Sequence, residues 1–220
     1  EAGELSWMTS SIELETSTQK AGAKGVFGAL KRSLGGGTLF MTEYTAVGVP
    51  GMVAFATKVP GLIMPIEVSP GVEYMVHKSG FLCGASEVEV TMGFQKKFGA
   101  GMFGGAGFIL QKVAGTGSAW VELDGELVTY DLAAGESMRV HPGHVGMFEA
   151  RVAFELDRIK GVKNILFGGN DLFLARLTGP GKVWLQTLPL PNLAAALDPY
   201  IKRDSGSSSS GISFGGSDND

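Results

Sequence analysis

Residues 10–16 (SSIELET) alternate apolar and polar side chains, the period-two signature of a half-buried strand. The pattern returns at 87–91 (EVEVT) and at 151–156 (RVAFEL). Each of these strands leads into a basic, glycine-studded connector, at 20–33, 95–103 and 158–167. A single helical turn suits each connector, because glycine weakens longer helices. A glycine pair then opens a short apolar strand: Gly36-Gly37 before 38–41, Gly104-Gly105 before 107–111, and Gly168-Gly169 before 172–174. A glycine turn and a strand carrying Phe55, Trp120 or Trp184 complete the series. A further strand, residues 70–77 (PGVEYMVH), matches 134–141 (AGESMRVH) at an offset of 64.

The offset between Gly104 and Gly168, and between Trp120 and Trp184, is also 64. That period is too long for a solenoid and suits a lobe of several antiparallel strands. The expected fold is all-β, with three pseudo-repeated antiparallel lobes around a pseudo-threefold axis. One domain is expected over 1–200, divided near 1–69, 70–133 and 134–200, with a flexible Ser/Gly/Asp tail over 201–220. A short helix is expected at 192–197, capped by Asn192 and stopped by Pro199. The first lobe starts late and the third stops early, so the two ends could complete each other. Further N-terminal strands are expected in the natural chain.

Hydrophobic residues make up 44% and charged residues 18%, enough apolar material for a sizeable core. The 34 glycines lack a collagen-like period and mark turns. A formal net charge of −4 disfavours general nucleic-acid binding. The one cysteine, Cys83, excludes an internal disulfide framework and reads as a buried, inert thiol. No apolar run is long enough to span a bilayer, and no signal peptide is visible. An intracellular location is expected, cytoplasmic in a bacterium, or mitochondrial or in another organelle in a eukaryote.

Catalytic constellations fare poorly. Gly99, Gly101 and Gly104 match a dinucleotide fingerprint, with Asp124 twenty residues on. The strand and turn chemistry that follows offers no helix N-terminus for a pyrophosphate. His141, His144 and Glu149 suggest a metal site, yet His141 has a counterpart in His77 while His144 falls opposite Gly80. No Gly-x-Ser-x-Gly is present, and Glu87 and Glu89 read as a solvated strand face. Phe55, Trp120 and Trp184 read as core. Neither catalytic residues nor a cofactor or metal site is expected. The basic connectors could form one patch, with Lys31, Arg32, Lys96, Lys97, Lys160 and Lys163 as a candidate binding surface.

The series 103–108 (FGGAGF), 113–117 (VAGTG), 168–169 and 177–189 (LTGPGKVWLQTLP) resembles the mitochondrial biogenesis family named for altered inheritance of mitochondria. The resemblance runs from about Leu5 to Leu197. It implies a fold similar to that of the tryptophan RNA-binding attenuator protein. It also implies a role beside a cristae-organising complex of the inner membrane, as for the yeast member. The family supplies no catalytic residues to carry over. The expectation is a non-enzymatic scaffold with protein partners and a possible homo-oligomer. The alternatives are an RNA- or small-ligand-binding module using the connectors and, less favoured, a metalloenzyme.

Overall fold

A computed structural model describes residues 5–17, 41–96, 107–159 and 173–201. They form sixteen strands in antiparallel sheets and one short C-terminal α-helix, an all-β fold. The strands are β1 (Leu5–Met8), β2 (Ile12–Ser17), β3 (Met41–Ala46), β4 (Val53–Phe55), β5 (Gly61–Val68), β6 (Tyr74–His77), β7 (Phe81–Gly84) and β8 (Val88–Lys96). They continue as β9 (Phe108–Gly115), β10 (Gly117–Asp124), β11 (Leu127–Leu132), β12 (Ser137–Val140), β13 (Val145–Glu149), β14 (Ala153–Arg158), β15 (Phe173–Thr178) and β16 (Gly181–Gln186). The glycine pairs themselves lie outside the described residues, as do 38–40 of the strand expected at 38–41; the strands expected after the second and third pairs fall on β9 and β15.

Sheet order explains the burial. A central six-stranded sheet runs β11-β16-β13-β6-β9-β8. A three-stranded sheet, β5-β10-β7, covers one face, and another, β12-β15-β14, covers the other. The first core lies between β5-β10-β7 and the central sheet and holds Val68, Val76, Phe81, Val88, Val113 and Ala119. The second core holds Leu132, Val140, Val145, Val152, Leu177 and Val183, each 64 residues further along. With both faces covered, the first four residues of β9 are all buried, which is why that strand loses the alternation of a half-exposed one.

The same offset governs hydrogen-bond register. Gly117 pairs with Val68, and Gly181 with Leu132. Trp120 pairs with Cys83, and Trp184 with Met147. Even the register shift next to each tryptophan recurs, and a similar one separates Leu5 from Trp7 in the β1–β4 pair. These pairings relate strands at the 64-residue offset; the threefold axis stays an expectation of the repeat and of the resemblance. Gly115 is held by backbone geometry: φ is +102°, and an added Cβ would run into the Glu87 carbonyl.

The helix, α1, spans Leu190–Leu197 and begins two residues earlier than the composition suggests. Pro189 occupies the cap position and its carbonyl accepts from the Asn192 N–H at 2.8 Å, so Asn192 is inside the helix rather than its cap. Proline at the start costs nothing, because the first helical N–H groups have no partner within the helix. Pro199 does not end the chain's turning: a 3₁₀ turn follows over Asp198–Tyr200.

Candidate binding clefts

Of the expected basic surface, Lys31, Arg32, Lys97, Lys160 and Lys163 lie outside the described residues. Lys96 lies at the end of β8. Its ammonium donates to the Leu156 carbonyl at 3.5 Å and lies 5.6 Å from the centre of the Phe173 ring. It is thus engaged with the neighbouring strands β14 and β15. The dinucleotide-like glycines at 99–104 also lie outside the described residues, while Asp124 is buried at the end of β10.

The histidines do not form a metal centre with Glu149. The Glu149 carboxylate accepts from Arg151 Nε at 2.8 Å and from the Lys182 N–H at 2.9 Å. His144 Nδ1 lies 2.8 Å from the Gln186 carbonyl oxygen, and His141 Nδ1 accepts from the Gly143 N–H at 3.3 Å. Among the described residues, no three His, Cys, Asp or Glu side chains group as metal ligands. His141, His144 and Glu149 are thus each engaged elsewhere and are not brought together as one ligand set.

These contacts also explain why His144 stands where the earlier segment has Gly80. His77 Nε2 lies 3.1 Å from the Glu122 carbonyl oxygen, and Glu122 is the 64-residue counterpart of Gln186. Equivalent carbonyls are thus met by histidines from different positions. A Cβ on Gly80 would come within 2.7 Å of the His77 ring, so glycine is required there. With His144 taking the slot, His141 turns outward, its ring centre 5.8 Å from that of His144. Burial lowers the His141 pKa from its ordinary value, and the charge of His144 lowers it further.

Two clefts adjoin this frame. The first, about 300 Å³, lies at the ends of β10 and β16 under the start of α1. Its walls include Phe108, Ile109 and Leu190, and Lys58, His77, Lys78 and Ser79 also line it. Three further polar residues of the lining, Glu122, Asp124 and Gln186, are at least nine-tenths buried. The Asp124 carboxylate accepts from the Leu190 N–H at 3.1 Å, and Gln186 Oε1 accepts from the Asp124 N–H at 3.0 Å. The Gln186 amide donates to the Gly143 carbonyl at 3.0 Å. This knot anchors α1, and the sequence did not mark it: Val121-Glu122-Leu123-Asp124 alternates like a half-exposed strand, yet all four are buried.

The second cleft, about 340 Å³, separates β7 from β3. Phe81, Cys83 and Gly84 line one side, Thr42, Glu43 and Tyr44 the other, with Trp120 alongside. Cys83 is half-buried rather than buried, and it faces this cleft. Trp120 is 38% exposed, so the expected core role does not hold for it. Trp184 is partly buried against the first core and lies 6.0 Å from Tyr74, centre to centre. Burial raises the Tyr74 pKa, with Glu149 and then Glu67 adding to the effect, so its hydroxyl stays neutral at physiological pH. The outer face beside Trp120 carries more apolar side chains: Pro65 stands directly across from it, and Ile63 of β5, on the same face, is 41% exposed.

An all-β, doubly covered sheet with open apolar clefts defines an architecture rather than a reaction. The chain belongs to the mitochondrial biogenesis AIM24 family, whose model matches residues 1–188. It is similar in fold to the crystal structure of a Streptococcus pyogenes protein solved by a structural genomics consortium, with a TM-score of 0.69. That likeness covers 90% of this chain and 87% of the other at 22% identity, so it speaks to fold alone. A search of curated proteins finds no match. No helix among the described residues is long and apolar enough to cross a membrane.

Proposed function

We propose that the protein is a non-enzymatic scaffold that holds other proteins together, in keeping with its mitochondrial biogenesis family. The observation that carries this reading is the outer face of the β5–β10 pair, where Ile63 and Trp120 are each more than a third exposed and Pro65 stands across from Trp120. Large apolar side chains grouped on a sheet surface suit a protein interface better than water. Quantitative affinity capture tests it. A partner recovered with the natural chain and lost with Ile63→Glu and Trp120→Glu together supports the reading, given unchanged circular dichroism. Capture indifferent to both changes, or turnover of a metabolite by the purified chain, overturns it.

A second reading, small-ligand binding, is favoured by the first cleft, where buried polar groups converge beside Phe108, Ile109 and Leu190. A metabolite screen by thermal shift would support it if one compound class raised Tm and Asp124→Asn removed the rise.

A further inference from the structure

A third, more open groove of about 540 Å³ lies between β11 and β12. Val128 and Tyr130 of β11 stand across from Leu185 and Val183, so they share the face that the second core occupies. They nevertheless remain 41% and 45% exposed. The positions 64 residues earlier are closed: Ile66, the counterpart of Tyr130, and Leu123, the counterpart of Thr187, are both buried. Where the earlier segment closes, this one opens and gains polar side chains. Tyr130 stands for Ile66, Thr187 for Leu123, Arg139 for Met75 and His144 for Gly80, and all four line the groove. At a fifth lining position an acid is lost, since Gln186 stands for Glu122. A merely solvated surface carries acids interspersed with bases. Among the described residues, no Asp or Glu lines this groove.

The polar groups are held in place. A carbonyl oxygen only accepts, so the 2.8 Å contact of His144 Nδ1 with the Gln186 carbonyl puts the ring proton on Nδ1. At Nε2, His144 therefore donates only after taking up a second proton. The Gln186 side chain bonds the Gly143 carbonyl and so fixes the turn that carries both histidines. Thr187 Oγ1 accepts from the Glu126 N–H at 2.8 Å and keeps its own O–H as a donor.

We propose that this groove binds the carboxylate of an apolar acid, aromatic or branched, with Arg139 and His144 meeting the anion and Val128, Tyr130 and Leu185 holding the apolar body. The proposal goes beyond both readings above: it does not involve the β5–β10 surface, and its lining shares only Gln186 with that of the first cleft. A guanidinium fork matches a carboxylate in shape and charge. Arg139 is the one permanent cation of the lining among the described residues, which suits a monoanion. A phosphate dianion would call for further cations or a nest of backbone N–H groups. The titratable groups around the anion are His141 and His144 of the turn and Tyr130 of β11; β16 contributes the uncharged Gln186 and Thr187. Proton uptake by His144 therefore accompanies binding.

The probe is 2-naphthoate, titrated into the full chain by calorimetry at fixed ionic strength while the histidine ring protons are followed by NMR. The chain has 3 histidines, and His77 lines the first cleft, so it serves as an internal control. Saturable binding is expected, with the His141 and His144 signals moving and the His77 signal still. The neutral amide, 2-naphthamide, and acetate should each bind roughly tenfold or more weakly, the one without the charge and the other without the apolar body. Arg139 is exposed, so its variants should keep Tm. Arg139→Gln should weaken binding roughly tenfold, and Arg139→Lys should restore part of it by keeping the charge without the fork. Affinity should rise between about pH 8 and about pH 6, and His144→Gln should remove the rise. Absence of saturable binding overturns the proposal, as does equal binding of the amide or indifference to Arg139→Gln. Movement of His77 alone overturns it too, because the probe then occupies the first cleft. Tighter binding of phenyl phosphate than of 2-naphthoate overturns the assignment to a carboxylate.

Discussion

The triplets β11-β16-β13 and β5-β10-β7 share register, twist-inducing irregularity and tryptophan position, yet one is embedded and the other is an outer layer. Trp184 meets Tyr74 and the first core, while its counterpart Trp120 borders a cleft. Phe148 is 1% exposed and fills the second core; its counterpart Gly84 lines the second cleft. The difference is not local propensity, which is nearly the same in both. Among the described residues, it follows from β6, a sequence-distant strand that lies alongside β13. Burial at these positions is thus assigned by the neighbour and not by the residue.

The comparison breaks most severely at Phe148. Phe148→Ala should cost about 3–5 kcal/mol in urea unfolding, because a fully enclosed aromatic leaves a cavity. Gly84→Ala, whose Cβ would meet Val88 at 3.2 Å, should stay within about 1 kcal/mol of the natural chain if Val88 can give way. The tryptophans come next. Trp184→Ala should destabilise more than Trp120→Ala, by about 1–2 kcal/mol, since only the former loses an enclosed aromatic contact. Equal losses would mean that Trp120 is covered as well. Gln186→Leu should cost about 1–3 kcal/mol by leaving the Asp124 N–H and the Gly143 carbonyl without that partner. Amide exchange in α1 should rise with it.

Two smaller effects sharpen the same contrast. Gln111 Oε1 is buried on β9 without a hydrogen bond, where the offset places Ala175 in the second core. Gln111→Leu should therefore be near neutral or stabilising by up to about 1 kcal/mol. Last is pH. The folded His141 binds its proton less readily than the unfolded one, so the unfolded state takes up more protons in acid. Its contribution is fully present above the ordinary histidine pKa near 6.5 and is lost as pH falls through the lowered folded value. His141→Gln should flatten that part of the stability–pH curve, read from Tm at a series of pH values.

Much of the fold was legible in the sequence because turns announce themselves. The alternation at 10–16, 87–91 and 151–156 falls on β2, β8 and β14, and the tryptophans fall on β10 and β16. The placing of β6 between β9 and β13 was not legible, since hydrogen bonding between distant strands leaves no mark on a local pattern. For that reason Trp120 and Trp184 looked alike. The exchange of roles between His144 and Gly80 was visible as a mismatch, but its meaning needed the positions of the Glu122 and Gln186 carbonyls. Most of the basic connector lysines fall outside the described residues, so the sequence remains the only source for that surface.

Strand β6 follows β5 directly in the chain but hydrogen-bonds to β9 and β13, more than thirty and seventy residues away. That arrangement interlocks distant strands in time as well as in space. A chain emerging from the ribosome cannot close the central sheet until β16 has been made, because β13 needs partners on both sides. Closing loops of this length is slow, and an early lobe must wait with its strand edges exposed. Folding should therefore be a late, all-or-none event, and a nascent chain stalled before β16 should be an obligate client of chaperones.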